Sequence, residues 1–139
     1  MATGAEGTQC GPVRVLVVDD DPGVVGMVLY ALRGRGFEAS GVGDGLQALA
    51  RLQREEFDAI VTDFQMPRLD GLALLREVRR MAHPPAVVVH SSRVDAATDA
   101  LFRRAGAFRV LVKGGPLGDL LRSVQEACAA FRRTSACCA

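Results

Sequence analysis

The sequence predicts an α/β fold in which a parallel sheet of five strands lies between two layers of helices. Five apolar runs alternate with five amphipathic segments, and three of the runs are almost continuous Val, Leu and Ile. Strands that are apolar throughout are typical of a parallel sheet buried on both faces. Strict alternation of strand and helix requires right-handed crossovers, which build a three-layer sandwich.

The apolar runs are the predicted strands. In chain order they are VRVLVV (13–18), FEASGV (37–42), DAIVTDF (58–64), AVVVH (86–90) and RVLV (109–112). The nearly continuous runs lack the alternation of apolar and polar residues that marks a strand with one side in water.

The amphipathic segments are the predicted helices. The first begins at Pro22, a residue type favoured at the first helical position, with Asp21 as its cap. Gly34 and Gly36 end it. Apolar residues at helical spacing mark the others. They are Leu46, Leu49 and Leu52, then Leu72, Leu75 and Val78, then Ala97, Leu101 and Ala105, and, after Pro116, Leu117, Leu120, Leu121, Val124, Cys128 and Phe131.

The length of 139 residues predicts one domain, which we place at residues 12–131. The small and polar segment 1–11 is expected to be disordered, and 132–139 is expected to form a frayed tail. The first residues lack the basic and apolar segments of a signal peptide. No output domain follows residue 131, so we expect a single-domain regulator if the chain is complete, and a receiver cut from a larger regulator if it is not. We expect the protein in the cytoplasm.

Charge, hydropathy and cysteine spacing argue against several classes of protein. The net charge is +1 and no basic run exceeds two residues, which argues against a nucleic-acid-binding protein. No apolar run approaches the roughly 18 residues that a membrane-spanning helix needs. The cysteines lack metal-ligand spacing and are expected to be free thiols in a reducing compartment. They are Cys10, Cys128, Cys137 and Cys138.

Polar side chains follow four of the predicted strands. Asp19 and Asp20 follow the first, Asp63 ends the third, Ser91 follows the fourth and Lys113 follows the fifth. In a parallel sheet these ends meet at the edge where ligands bind. Close carboxylates repel one another unless a cation joins them, and Mg²⁺ prefers such oxygen ligands. Lysine and serine can bind phosphoryl oxygens, so the sequence predicts a Mg²⁺-dependent phosphoryl site.

Other polar residues have structural interpretations. Asp70-Gly71 is typical of a turn that starts a helix. His90 is interpreted as a strand-end residue. The stretch GVGDG (41–45) lacks the glycine spacing of a phosphate-binding loop, and we interpret it as a turn into a helix capped by Asp44.

The motifs VLVVDDDP, VTDFQMPRLDG, HSS and VK occur in this order and spacing over about residues 12–131. In these motifs the chain resembles the receiver domain of bacterial two-component response regulators, the CheY-like family. The resemblance implies the flavodoxin-like (βα)₅ sandwich with strand order 2-1-3-4-5. It also implies that Asp63 accepts phosphate from a phosphohistidine, that Ser91 is the switch hydroxyl, and that Lys113 pairs with the phosphoryl group.

The same resemblance implies a metal site. Asp20, Asp63 and the backbone carbonyl of Gln65 would bind Mg²⁺ directly, and Asp19 would act through water. The implied partners are a histidine kinase or phosphotransfer protein and an unknown downstream protein, with neither nucleic acid nor membrane bound. The resemblance also leaves open a homodimer that forms through the face of the fourth helix, fifth strand and fifth helix.

Two positions depart from the family pattern. Gly114 follows Lys113 where the family has proline after a cis bond. A cis bond to a non-proline residue costs about 2.5–4 kcal/mol. We therefore expect a trans bond, a re-routed loop and a less firmly placed Lys113. Val110 stands where the family has an aromatic residue that moves with the switch hydroxyl.

The sequence is compatible with three functions. The first is a phosphorylation switch that changes the affinity of a protein–protein interface and is not a turnover enzyme. The second is a docking module with this fold that phosphate does not control, which Gly114 and Val110 favour. The third is a phosphohydrolase that uses Asp63, which Gln65 disfavours because such enzymes need a second acid at that position.

Overall fold

Five strands and five helices alternate in the computed structural model, which describes the backbone of residues 11–134 and the side chains of residues 11–131. The elements are β1 (Arg14–Val18), α1 (Pro22–Gly34), β2 (Glu38–Val42), α2 (Gly45–Leu52), β3 (Ala59–Thr62), α3 (Gly71–Arg79), β4 (Ala86–Ser91), α4 (Ala96–Ala105), β5 (Arg109–Val112) and α5 (Leu117–Thr134). The predicted α/β fold is confirmed. The predictions for Cys10, Cys137 and Cys138 lie outside the described residues.

All strand pairs of the sheet are parallel, in the order β2-β1-β3-β4-β5, as predicted. The register places Val18 beside Thr62, so the next residues of β1 and β3 are also neighbours. The N–H of Asp63 donates to the carbonyl of Val18 at 3.0 Å and extends this ladder beyond the strands. The two acidic strand ends therefore lie next to each other.

The sheet separates two apolar clusters because successive side chains of a strand point to opposite faces. Val15 and Val17 of β1 lie in the cluster with α1 and α5. Leu16 and Val18 lie in the cluster with α2, α3 and α4. Every residue of β3 and β4 is buried. No helix within residues 11–134 is long and apolar enough to cross a membrane.

Aspartate caps begin four of the helices at the carboxyl edge of the sheet. Each side chain accepts a hydrogen bond from an N–H of the first turn, which satisfies a donor that has no partner within the helix. The caps are Asp21, Asp44, Asp70 and Asp95 for α1 to α4. The predicted capping roles of Asp21 and Asp44 are confirmed, and so is the predicted helix start at Asp70-Gly71.

Several apolar residues lie differently from the prediction. Leu46 and Leu101 were expected on the buried faces of their helices but are 49% and 39% exposed. Phe102, the neighbour of Leu101, is fully buried and anchors α4 instead. The α5 helix ends at Thr134, three residues after the predicted boundary at 131.

Arginine and glutamate side chains form ion pairs at the opposite, amino-terminal edge of the sheet. Arg14 Nη2 lies 2.7 Å from Glu55 Oε1, and Arg14 Nε lies 3.3 Å from Glu38 Oε2. Arg51 pairs with the same Glu55. Both guanidinium groups lie over the Phe57 ring, at 4.7 and 5.5 Å from its centroid. The network connects β1, β2 and the end of α2.

Glu55 is expected to make stability depend on pH. Hydrogen bonds from Arg51 and then from Arg14 lower the pKa of Glu55 from 4.5 to about 2. A lowered carboxyl pKa stabilises the fold above the unfolded value, and this contribution is lost as pH falls through 4.5 toward 2. We expect Glu55→Gln to lower the thermal unfolding midpoint at pH 6, and the difference from the unaltered protein to shrink at pH 3.

The matched control is Glu77→Gln, which removes an exposed pair with Arg80 at 3.4 Å. Its midpoint should follow that of the unaltered protein at both pH values, because exposed pairs contribute little. An equal difference for Glu55→Gln at pH 6 and pH 3 would contradict the assigned role of the two arginines.

Gly71 lets the start of α3 pack on the backbone of Asp63. A Cβ atom at this position would lie 2.2 Å from the Asp63 carbonyl oxygen. We expect Gly71→Ala to destabilise the fold by about 1–3 kcal/mol, the usual cost of overpacking. Gly26→Ala, on the open side of α1 with nothing within 4 Å, should stabilise it by about 0.5–1 kcal/mol. Urea unfolding of both variants tests this, and equal effects would contradict the close approach.

Candidate functional site

Lys113 joins two carboxylates at the carboxyl edge of the sheet. Its Nζ atom lies 2.7 Å from Asp19 Oδ2 and 3.0 Å from Asp63 Oδ2. The three side chains are 19%, 4% and 11% exposed. These charges are therefore largely shielded from water, and the Lys113 ammonium stabilises both carboxylates, which repel each other.

The second oxygen of each carboxylate is held by the backbone. The N–H of Asp21 donates to Asp19 Oδ1 at 3.0 Å, and the N–H of Phe64 donates to Asp63 Oδ1 at 2.7 Å. Both donors belong to the loops that follow β1 and β3. The side chains are thus oriented by local hydrogen bonds and by Lys113 together.

Asp20 completes an acidic cluster with Asp19 and Asp63. One carboxylate oxygen from each residue lies within 4.8 Å of the others, and Asp20 is the exposed member. The donor set consists of oxygen atoms only, which fits a hard divalent cation such as Mg²⁺ and disfavours soft metals. The structure thus brings together the three acidic residues singled out in the sequence.

The loop after β5 takes the trans route predicted for it. No peptide bond between residues 11 and 134 is cis, and Gly114 has φ +89°, a conformation that glycine adopts readily. Two ion pairs hold the ammonium group of Lys113, and its looser placement relative to the family stays a prediction. Burial by itself lowers the pKa of Lys113, but the hydrogen bonds to Asp19 and Asp63 outweigh burial and raise it.

A pocket of about 500 Å³ opens beside Asp63. Ser91, which is 4% exposed, and Gln65 line it together with Asp63, so the structure brings these predicted residues to one cavity. Its lining residues are Asp63, Phe64, Gln65, Ser91, Ser92, Arg93, Val94, Asp95 and Thr98. The pocket provides space for a small anionic group between Asp63 and the Ser91 loop.

His90 lies on the other side of the sheet from this pocket. It is 7% exposed and lines a groove of about 540 Å³ with residues such as Met27 and Leu117. Burial, and secondly the positive charge of Lys113, lower the pKa of His90, so the imidazole is neutral at pH 7. The interpretation of His90 as a strand-end residue agrees with this position.

Sequence reasoning missed two contacts at the site. The rings of Phe64 and Phe102 meet edge to face with centroids 4.9 Å apart, which joins the residue after Asp63 to α4. Arg68, in the loop between β3 and α3, pairs with the buried Asp44 at the start of α2. The partners are distant in sequence, and no motif marks either pair.

Val110 fills part of the apolar core. It is 8% exposed and belongs to the same apolar cluster as Phe102. A valine in this position has no long side chain that could swing between two orientations.

Comparisons with known proteins agree with this fold and geometry. Among curated relatives, the transcriptional regulatory protein ZraR of Salmonella typhimurium is 33% identical over 128 residues, which is 91% of this chain and 29% of ZraR. The transcriptional regulatory protein PrrA of Mycobacterium leprae is 39% identical over 112 residues, 81% of this chain and 48% of PrrA. The chain thus spans less than two thirds of the length of these relatives.

Solved structures show the same architecture. The receiver domain of the Francisella response regulator 1452 is 26% identical, with a TM-score of 0.80 over 90% of this chain and 100% of that one. A CheY-like receiver domain from Methanospirillum hungatei JF-1 shares the fold, with 21% identity and a TM-score of 0.84 over 90% and 100% of the two chains. The family model of the response regulator receiver domain matches residues 15–125. The chain belongs to the family of response regulator receiver domains, with the CheY-like fold.

Proposed function

We propose that this receiver domain accepts a phosphoryl group on Asp63 from a phosphohistidine of a histidine kinase or phosphotransfer protein in the cytoplasm. The observation that carries the proposal is the Lys113 ammonium, held between Asp19 and Asp63 beside an open pocket. A fixed, partly buried cation is suited to stabilise the charge of an incoming phosphoryl group.

In the proposed step, a carboxylate oxygen of Asp63 forms a bond to phosphorus while the phosphorus–nitrogen bond of the donor breaks. The electron pair of that bond goes to the imidazole nitrogen, which leaves the donor histidine neutral when its other nitrogen carries a proton. Phe64 N–H and Lys113 Nζ hold the carboxylate in place before the donor arrives. Such pre-orientation lowers the entropic part of the barrier.

Mg²⁺, when bound, would offset the negative charge that collects as the donor's phosphoryl group meets the carboxylates. Asp20, Asp63 and the Gln65 carbonyl would hold the ion directly, and Asp19 would do so through water. The single positive charge of Lys113 leaves the three-carboxylate cluster with excess negative charge, which a divalent cation balances.

Ser91 and Lys113 are the groups that would respond to the new acyl phosphate, whose charge is about −2. The Ser91 hydroxyl can donate a hydrogen bond to a phosphoryl oxygen. The carbonyl of Ser91 accepts the Lys113 N–H at 2.7 Å, so a shift of one strand end is expected to move the other.

The proposed output is a changed affinity of the face formed by α4, β5 and α5 for a partner protein, with a second copy of the chain as one such partner. The Phe64–Phe102 contact supports this output, because it connects the residue after Asp63 to α4. Through this contact, a structural change at Asp63 can reach α4 without an aromatic residue at position 110. Action as a single-domain regulator stays a prediction.

A docking module that phosphate does not control is the second candidate function. The trans bond to Gly114 and the buried Val110 favour it, because both depart from the family pattern. The two candidates differ in one outcome, since only the first requires Asp63 to take up phosphate.

We expect the protein to gain a single phosphoryl adduct when incubated with phosphoramidate and Mg²⁺, as seen by intact-protein mass spectrometry. The adduct should be absent without Mg²⁺ and absent in Asp63→Asn, which replaces the attacking carboxylate by an uncharged and weakly nucleophilic amide. Asp99→Asn is the matched control, because it changes a half-buried aspartate that pairs with Arg103 on α4, away from the acidic cluster. It should be phosphorylated like the unaltered protein.

Absence of the adduct from the folded, unaltered protein would refute the phosphorylation switch and support the docking module. An adduct of equal yield in Asp63→Asn would refute the assignment of the acceptor residue.

A further inference from the structure

An ion pair between Asp44 and Arg68 connects two loops beside the acidic cluster. Arg68 Nε and Nη2 lie 3.0 and 2.5 Å from Asp44 Oδ2. The Arg68 side chain is 60% exposed, whereas that of Asp44 is only 2% exposed. One of these loops leads from β2 into α2, and the other leads from Asp63 into α3.

Both carboxylate oxygens of Asp44 have assigned partners. The N–H of Gln47 donates to Oδ1 at 2.8 Å and caps α2, while Oδ2 receives Arg68. The hydrogen bond from Gln47, followed by that from Arg68, lowers the pKa of Asp44, which keeps it charged. The cap and the ion pair therefore use different oxygens and can be separated by mutation.

The backbone of Arg68 is strained. Its φ of +71° is the only positive value among the non-glycine residues that the structure describes. Side chains other than glycine rarely adopt this region and stay there only when their surroundings hold them. The ion pair with Asp44 holds the Arg68 side chain, and the N–H of Leu69 donates to the Pro67 carbonyl at 2.8 Å and closes the backbone turn around Arg68.

The same loop also packs on the start of α2. A Cβ atom on Gly45 would lie 2.4 Å from the Leu69 carbonyl oxygen, so the two backbones are in direct contact. The N–H of Gly71 donates to the Phe64 carbonyl at 2.7 Å and closes the loop at its other end. Between these fixed points lies Gln65, whose carbonyl is the proposed third protein ligand of Mg²⁺.

We propose that Arg68 is a positioning residue, whose ion pair with Asp44 holds the loop of residues 64–70 so that the Gln65 carbonyl can bind Mg²⁺. This inference rests on the proposed Mg²⁺ site. It assigns a role in metal binding to a side chain that does not touch the metal ligands.

The Asp44–Arg68 ion pair could instead contribute only to stability. In that case it would raise the thermal unfolding midpoint and leave the half-saturating Mg²⁺ concentration unchanged. The half-saturating Mg²⁺ concentration therefore distinguishes the two roles. It can be measured from the rise of the thermal unfolding midpoint with Mg²⁺, since a ligand that binds only the folded state stabilises it.

Three variants isolate the pair. Arg68→Ala removes the guanidinium group, and Arg68→Lys keeps the charge without the planar fork. Asp44→Asn keeps an oxygen for the Gln47 N–H but removes the charge that binds Arg68. Arg80→Ala is the matched control, because it removes an exposed arginine that directly follows α3.

We expect Arg68→Ala and Asp44→Asn each to raise the half-saturating Mg²⁺ concentration about fivefold, below the 10–100-fold typical of direct partners of metal ligands. Arg68→Lys should have a smaller effect, and Arg80→Ala none. The double variant Asp44→Asn/Arg68→Ala should be no worse than either single variant, because both remove the same interaction. At saturating Mg²⁺ the rate of phosphoryl uptake should return to within about twofold of normal.

An unchanged half-saturating concentration in folded Arg68→Ala and Asp44→Asn would overturn the inference, and so would additive effects in the double variant. Arg68→Gly, which tolerates positive φ, replaces Arg68→Ala if that variant does not fold. Mg²⁺ binding that depends on Arg68 in a protein that takes up no phosphate would support the inference and overturn the proposed function alone. Absence of Mg²⁺ binding to the unaltered protein would overturn both.

Discussion

The pairing of Lys113 with Asp19 and Asp63 is the interaction on which the site depends. Two nearly buried carboxylates repel each other, and burial makes unpaired charge costly. The ammonium group at 2.7 and 3.0 Å offsets both effects. Lys113 is the only lysine of the chain. A compact ammonium can contact one oxygen of each aspartate, whereas the planar guanidinium of arginine needs more room.

The sheet makes this pairing possible. The parallel register places Val18 beside Thr62 and Ser91 beside Val112, so the residues that follow these strands share one edge. The helices that leave the same edge are capped by aspartates, which contribute to its acidity without joining the cluster. The amino-terminal edge is instead closed by arginine–glutamate pairs. The acidic cluster and the arginine–glutamate network thus lie at opposite ends of the strands.

The sequence was sufficient to predict the fold and the three clustered aspartates, because strand ends are visible as apolar runs followed by charge. It was not sufficient where the outcome depends on packing between distant segments. Leu101 and Phe102 are both apolar, and packing against Phe64 and the apolar cluster on this side of the sheet explains why Phe102 is the buried one. Asp44 and Arg68 are 24 positions apart, and the left-handed backbone of Arg68 has no local signature such as glycine.

We propose that phosphate is carried by Asp63 and by no other aspartate of the cluster. Borohydride reduction of the protein after treatment with phosphoramidate and Mg²⁺ tests it, because reduction converts an acyl-phosphorylated aspartate to homoserine. Peptide mass mapping should then find homoserine at position 63 and unmodified aspartate at positions 19 and 20. Homoserine at position 19 or 20, or unmodified aspartate at all three positions, would contradict the account.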